Sequence, residues 1–79
     1  MELKDTIELM TSSDYKDRFR AEYWQIKIRR NKLKAMIDNW DNLNFTPTCS
    51  KGLYVGQLSV MESYIGILEY RAAIEGVEI

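Results

Sequence analysis

The fold of this chain is decided by residues 14–40, DYKDRFRAEYWQIKIRRNKLKAMIDNW. The stretch contains neither Gly nor Pro and is rich in residues with high helix propensity. It therefore predicts one long helix over residues 14–41, with Ser13 or Asp14 as its N-cap. An apolar stripe repeats along it at alternating spacings of four and three: Phe19, Tyr23, Ile26, Arg30, Leu33, Ile37 and Trp40.

A second stripe on the same helix contains Ala21, Trp24, Ile28 and Ala35. One helical partner covers one stripe, so two stripes require two partners. We expect the other arm of a hairpin on one side and another copy of the chain on the other.

The remaining segments complete a hairpin. Residues 42–49 are rich in Asn and Thr and contain the single proline, Pro47, which predicts a loop. Residues 50–75 show a wide apolar face typical of a second long helix, and residues 1–12 predict a short helix. Small residues at positions 56, 59, 63 and 66 would admit a close helix neighbour. We expect a single all-α domain, residues 1–79: a long antiparallel helical hairpin with a short N-terminal helix, assembling into a homo-oligomeric bundle.

Length and composition favour self-association and exclude most catalytic chemistry. A domain of 79 residues buries a small core, and it has one cysteine and no histidine, so neither a disulfide nor a zinc site supplements that core. Cys49 has no imidazole to activate it. We expect a protein that is not an enzyme and needs no cofactor or metal. A lone thiol without a signal peptide or long apolar run predicts a soluble cytosolic protein with no membrane partner.

Charge is strongly segregated along the chain. Residues 1–14 carry a net charge of −3, residues 15–34 one of +6, and residues 35–79 one of −4. Residues 15–34, called here the basic band, could bind either an anionic ligand or the acidic segments of a neighbouring copy. The pI of about 5.4 argues against broad nucleic-acid binding.

Arg30 is the most informative cation, because it occupies a position in the first apolar stripe where Leu or Ile would pack better. Arg71 interrupts an apolar row of the second long helix in the same way. A buried guanidinium needs a partner. One alternative is an ion pair of Arg30 with an acidic residue that sets register or oligomeric state: Glu22, Glu69 or Glu75. The other is that Arg30 and Arg71 line a pocket that receives an anionic ligand.

The chain resembles a family of small phage and prophage proteins that takes its label from a crAss-like phage. The resemblance covers about residues 15–75 and is carried by Tyr15 and Arg18, Lys32-Leu33, Phe45, and Gln57-Leu58 followed by Met61, Tyr64, Leu68 and Arg71. This resemblance implies a phage origin, and with it the cytoplasm of a bacterial host cell as the expected location.

The chain is also similar to the helical-hairpin nucleotide sponges of phages, of the anti-CBASS and anti-Thoeris type, in size, architecture and oligomeric assembly. Tyr15, Lys16, Lys27 and Arg30 match the tyrosine and basic residues on their first long helix. Asp14 stands where the sponge signature has Gly.

The sponge resemblance implies a counter-defence protein that binds and sequesters an anionic, cyclic-nucleotide-type immune signal as a homo-oligomer. The expected ligand-binding residues are Tyr15, Arg18, Lys27, Arg30, Tyr64 and Arg71. The alternative is a stoichiometric protein inhibitor of a bacterial defence effector, of the anti-CRISPR type, that acts through an exposed Trp24/Ile28 stripe and the acidic segments. A third possibility is a purely structural accessory protein.

Overall fold

The computed structural model describes residues 1–79 and contains only helical elements. A 3₁₀ turn, Leu3–Thr6, leads into α1 (Ile7–Met10), and the long helices are α2 (Tyr15–Asp38) and α3 (Lys51–Glu75). A second 3₁₀ turn, Trp40–Asn42, follows α2. The predicted all-α hairpin with a short N-terminal helix is confirmed, and its assembly into a homo-oligomer stays a prediction.

Local side chains fix the ends of the two long helices. Asp14 is the N-cap of α2 and accepts a hydrogen bond from the backbone N–H of Lys16 at 2.9 Å. Ser50 caps α3 in the same way through Leu53 at 3.2 Å. At the other end Gly76 adopts φ 70°, a left-handed conformation that favours glycine and ends the helix. These caps satisfy backbone groups that a helix end leaves unpaired.

The core lies between one side of α2 and one side of α3. Its buried cluster takes residues from both helices and from the C-terminal segment: Phe19, Tyr23, Ile65, Leu68, Ala72 and Val77. Trp24 and Ile26 pack against this cluster. Only 10 of the 79 residues are buried in the single chain, so this core is small.

The second stripe of α2 is covered in part by the N-terminal segment. Ala21 and Ile28 are buried, and Gln25, which lies between them on the same side of the helix, donates a hydrogen bond to the Thr6 hydroxyl at 3.0 Å. Thr6 is itself 1% exposed and donates to the Leu3 carbonyl. The expectation that another copy covers this stripe is therefore wrong for Ala21 and Ile28, which residues 3–10 cover. Trp24 packs on the core, and Ala35 stays exposed.

The face of α3 directed away from α2 has no partner within the chain. Its large members are exposed: Leu53, Val60, Ile67, Tyr70 and Ile74. Its small members lie in adjacent rows: Gly52, Gly56, Ser59, Ser63, Gly66 and Ala73. These eleven residues, none of them charged, are called here the outer face of α3. No helix of the chain has the length and apolar character required to cross a bilayer.

Candidate functional site

The six predicted ligand-binding residues lie on two different edges of the hairpin. Residues seven apart share one side of a helix, whereas residues two apart point in nearly opposite directions. Tyr64 and Arg71 of α3 therefore lie on one side, and Glu62 and Glu69 on the other. Two edges are defined accordingly: the Tyr64 edge has Tyr15, Arg18, Tyr64 and Arg71, and the Arg30 edge has Lys27 and Arg30.

The Tyr64 edge is organised by contacts between the two long helices. The Tyr64 hydroxyl donates a hydrogen bond to the Glu22 carboxylate, and the Tyr64 side chain stays 39% exposed. The Arg71 guanidinium carbon lies 5.0 Å from the centre of the Phe19 ring, and its Nε donates to Glu75 at 2.8 Å. A guanidinium held against a ring loses less freedom when it binds an anion than a free one does.

Tyr15 and Arg18 belong to the same edge through the geometry of α2. Tyr15, Arg18 and Glu22 are spaced by three and four residues, so they follow one another along one side of the helix. Tyr15 is 47% exposed, and Arg18 is exposed while its NH1 nitrogen donates to the Ser12 carbonyl at 2.8 Å. Four of the six predicted residues thus lie along one edge, and they supply two tyrosine rings and two guanidinium groups.

The Arg30 edge has a structural ion pair. The Arg30 NH2 nitrogen lies 2.6 Å from the Glu62 carboxylate, and the Arg30 side chain is 23% exposed. Of the two alternatives for Arg30, the structure shows the ion pair, but the partners expected for it are wrong. The other alternative, a pocket shared by Arg30 and Arg71, is not formed within the single chain, since the two residues lie on opposite edges.

Beside this pair, Tyr23 and Glu69 form a contact that the sequence did not reveal. The Tyr23 hydroxyl donates to Glu69 at 2.9 Å, and the side chain is 5% exposed. Burial raises the pKa of Tyr23 to about 12, and the adjacent Glu69 carboxylate adds to the rise. Tyr23 was recognised as a member of the apolar stripe, but its spacing carries no signal for the acceptor 46 residues away.

Much of the basic band is used within the chain. Lys16 donates to the Gly76 carbonyl at 3.2 Å and Arg20 to the Glu78 carbonyl at 2.7 Å, so both hold the C-terminal segment against α2. Lys34 pairs with Asp38 on its own helix. Three cations of the band make no hydrogen bond or ion pair: Lys27, Arg29 and Lys32. The chain also has no group of three or more side chains placed to hold a metal ion.

The comparison with protein families identifies the relatives of this chain. The Sequestin family model matches residues 13–74, which include α2, the connecting loop and nearly all of α3. This chain belongs to the Sequestin family. The name denotes sequestration of a partner, which agrees with the resemblance to sponge proteins. No curated protein and no solved structure matches the chain significantly. The matched segment of this Sequestin contains all six predicted ligand-binding residues.

Proposed function

We propose that this Sequestin is a phage-encoded counter-defence protein that sequesters an anionic, cyclic-nucleotide-type immune signal as a homo-oligomer, without converting it. The observation that carries the proposal is the family match over residues 13–74, whose name denotes sequestration. The Tyr64 edge supplies groups suited to such a ligand. Tyrosine rings stack on bases, and guanidinium groups bind phosphate through paired hydrogen bonds.

The residues of the Tyr64 edge have separate roles in this proposal. Tyr15 and Tyr64 contact a base or ribose, because both rings are exposed. Arg71 and Arg18 bind phosphate oxygens. Arg71 is already held against Phe19, and it exchanges its contact with Glu75 for the stronger charge of a phosphate.

The Arg30 edge has a secondary role. Lys27 makes no hydrogen bond or ion pair within the chain, so it is available to an anion. Arg30 is bound to Glu62 and reaches a ligand only by giving up that pair. We therefore place the main binding surface on the Tyr64 edge and assign Arg30 chiefly to the contact between α2 and α3.

A thermal-shift panel tests the proposal. The purified protein is heated alone and with each of several cyclic oligonucleotides and ADP-ribose derivatives. A ligand that binds only the folded protein raises the unfolding temperature. At a concentration of one hundred times its Kd it adds about 2.7 kcal/mol to the free energy of unfolding. Chromatography of the heated sample should then return the nucleotide intact, because sequestration leaves it unchanged.

A matched pair of variants separates specific binding from general charge effects. Arg71→Gln removes a guanidinium from the Tyr64 edge. Lys32→Gln is the control: it removes one positive charge from an exposed position of α2, where Lys32 makes no ion pair. The nucleotide-induced shift should fall in the first variant and persist in the second. Equal loss in both would show that attraction by net charge alone accounts for binding.

A second candidate is a stoichiometric protein inhibitor of a bacterial defence effector. The Trp24/Ile28 stripe expected to carry it is largely covered, since Ile28 is 9% exposed and Trp24 packs on the core. The observation that favours a protein partner is instead the exposed outer face of α3. If no nucleotide of the panel shifts the unfolding temperature and a host protein co-purifies, this function would be favoured and the nucleotide proposal contradicted.

A further inference from the structure

The outer face of α3 has the pattern of a helix that pairs closely with a second helix. Leu53, Val60, Ile67 and Ile74 repeat every seven residues and are 61–70% exposed. The next two rows on one side contain six small residues and Tyr70, and Arg71 of the Tyr64 edge borders the face on its other side. A contiguous exposed apolar surface of this kind is typical of a protein-binding site.

Two glycines of this face have no explanation within the chain. A Cβ atom added at Gly56 or Gly66 would meet no atom within 4 Å, so the fold of one copy does not require glycine there. Glycine in a helix interior is less favourable than alanine. Close approach of another backbone is the general reason to keep it, because only glycine leaves that space free.

We propose that two copies of this chain pair antiparallel through the outer face of α3, about a two-fold axis that passes beside Ser63. Position 63 is midway between Gly56 and Tyr70, so this axis lays Tyr70 of each copy over the partner's Gly56. A parallel pair would instead place Tyr70 against the partner's Tyr70 and leave a gap between the two glycines. The antiparallel pair fits large side chains to small ones, as close packing requires.

The charges at the helix ends agree with this orientation. In the antiparallel pair the N-terminal end of each helix dipole lies beside the C-terminal end of the other, and Lys51 lies at the same end of the dimer as the partner's Glu75, on the opposite edge. A parallel pair would bring like charges and like dipole ends together. Glu62 is the acidic residue nearest the middle of α3, and Arg30 already neutralises it at 2.6 Å.

The pairing also enlarges the proposed ligand surface. A two-fold axis perpendicular to both helices leaves the same edge of each copy on the same side of the dimer. Tyr64 then lies near the partner's Tyr64 beside the axis, and Arg71 follows about 10 Å further along each helix. The ligand-binding role of this combined surface rests on the proposed function, but the pairing itself does not.

Cysteine cross-linking in the absence of nucleotide tests the pairing, and Cys49→Ser provides a background without other thiols. Ser63→Cys should form a disulfide-linked dimer on mild oxidation. When the two variants are mixed, Gly56→Cys should form a disulfide with Tyr70→Cys. Neither variant should form a disulfide-linked dimer when it is oxidised alone. The two positions are about 21 Å apart along the helix, and a disulfide needs Cα atoms within about 7 Å. Lys32→Cys on α2 is the matched exposed control and should not cross-link.

The outcomes distinguish the orientations. Self-cross-linking of Gly56→Cys or Tyr70→Cys would overturn the antiparallel pairing, and so would Ser63→Cys that links no faster than Lys32→Cys. Light scattering is the second measurement. It should give twice 9.3 kDa for the unmodified protein and 9.3 kDa for Val60→Asp, which alters a residue that is 70% exposed in one copy. Circular dichroism confirms that each variant stays helical. Failure of these tests leaves the nucleotide panel to decide the proposed function separately.

Discussion

Arg30 and Glu62 join the two long helices through an ion pair of 2.6 Å between residues 32 positions apart. Their side chains are 23% and 45% exposed, so water screens the pair in part. Its importance lies in its place as well as its strength. It is the one ion pair of the structure that links α2 to α3, and it favours a single register of the hairpin.

Reversal of the charge at Arg30 tests this role. Arg30→Glu puts two carboxylates at the contact, and we expect the free energy of unfolding in urea to fall by about 1 kcal/mol, the upper end of the range for an exposed pair. The exchanged pair, Arg30→Glu with Glu62→Arg, should recover most of the loss. Lys34→Glu is the control, since its pair with Asp38 lies within one helix and should cost about 0.3–0.5 kcal/mol. No recovery in the exchanged pair would mean that the contact does not set the register.

The raised pKa of Tyr23 predicts that the protein loses stability at high pH. Its pKa is raised from 10.0 to about 12 in the folded protein, because the hydroxyl is buried and faces Glu69. The folded state therefore holds this proton more tightly than the unfolded state does. The resulting stabilisation is present below pH 10 and is lost as the pH rises towards 12, by up to about 3 kcal/mol. Urea unfolding followed from pH 9 to pH 12 measures the change.

Tyr23→Phe removes this titration and is the matched variant. It should lose the hydrogen bond to Glu69, at a cost of about 1 kcal/mol near neutral pH, and then show a shallower decline above pH 10 than the unmodified protein. An absorbance titration of the unmodified protein should show a late-ionising tyrosine that is missing in Tyr23→Phe. Parallel stability curves for the two proteins in alkaline solution would contradict the raised pKa.

Thr6 tests whether the N-terminal segment is an integral part of the fold. Its hydroxyl donates to Leu3 and accepts from Gln25, and the residue is 1% exposed. Thr6→Val keeps the shape but leaves the Gln25 amide without this acceptor, so we expect a loss of about 1–2 kcal/mol in the free energy of unfolding. Thr11→Val is the exposed control and should change it by less than about 0.5 kcal/mol. Equal effects of the two substitutions would show that Thr6 contributes no more than a surface threonine.

Gly66→Ala should have opposite effects on folding and on association. Alanine at this helical position is expected to stabilise one copy by about 1 kcal/mol, since the added Cβ meets nothing within 4 Å. The same atom would obstruct a closely packed second copy. The unfolding temperature of the unmodified protein should rise with protein concentration, and that of Gly66→Ala should start higher and rise less. A concentration dependence as steep as that of the unmodified protein would contradict a close approach at Gly66.

The hairpin could be predicted from the sequence because periodic apolar residues and caps are local signals. Phe19 and Tyr23 fall at helical spacing, and the core indeed forms along that stripe. The Trp24/Ile28 stripe was recognised as well, but its partner was misassigned. Periodicity shows that a face must be covered and does not show what covers it. Residues 3–10 form a segment too short for a stable isolated helix, so nothing in the sequence indicated that this segment covers Ala21 and Ile28.

The candidate site could be predicted only in part. Tyr64 and Arg71 were singled out by type and position, and they do share an edge of the hairpin. Lys16 Nζ and Arg20 Nε donate to backbone carbonyls of the C-terminal segment, and a sequence carries no signal for which carbonyl accepts a hydrogen bond. The pairing of Arg30 with Glu62 depends on the hairpin register, which composition and spacing alone do not fix.

The most direct test of nucleotide sequestration is the thermal shift of the unmodified protein compared with that of Arg71→Gln, with each nucleotide of the panel. We predict that at least one cyclic nucleotide or ADP-ribose derivative raises the unfolding temperature of the unmodified protein and is recovered intact after heating. Arg71→Gln should lose most of that shift while its mass by light scattering stays the same. An unchanged unfolding temperature with every nucleotide, or an equal shift in Arg71→Gln, would contradict the account.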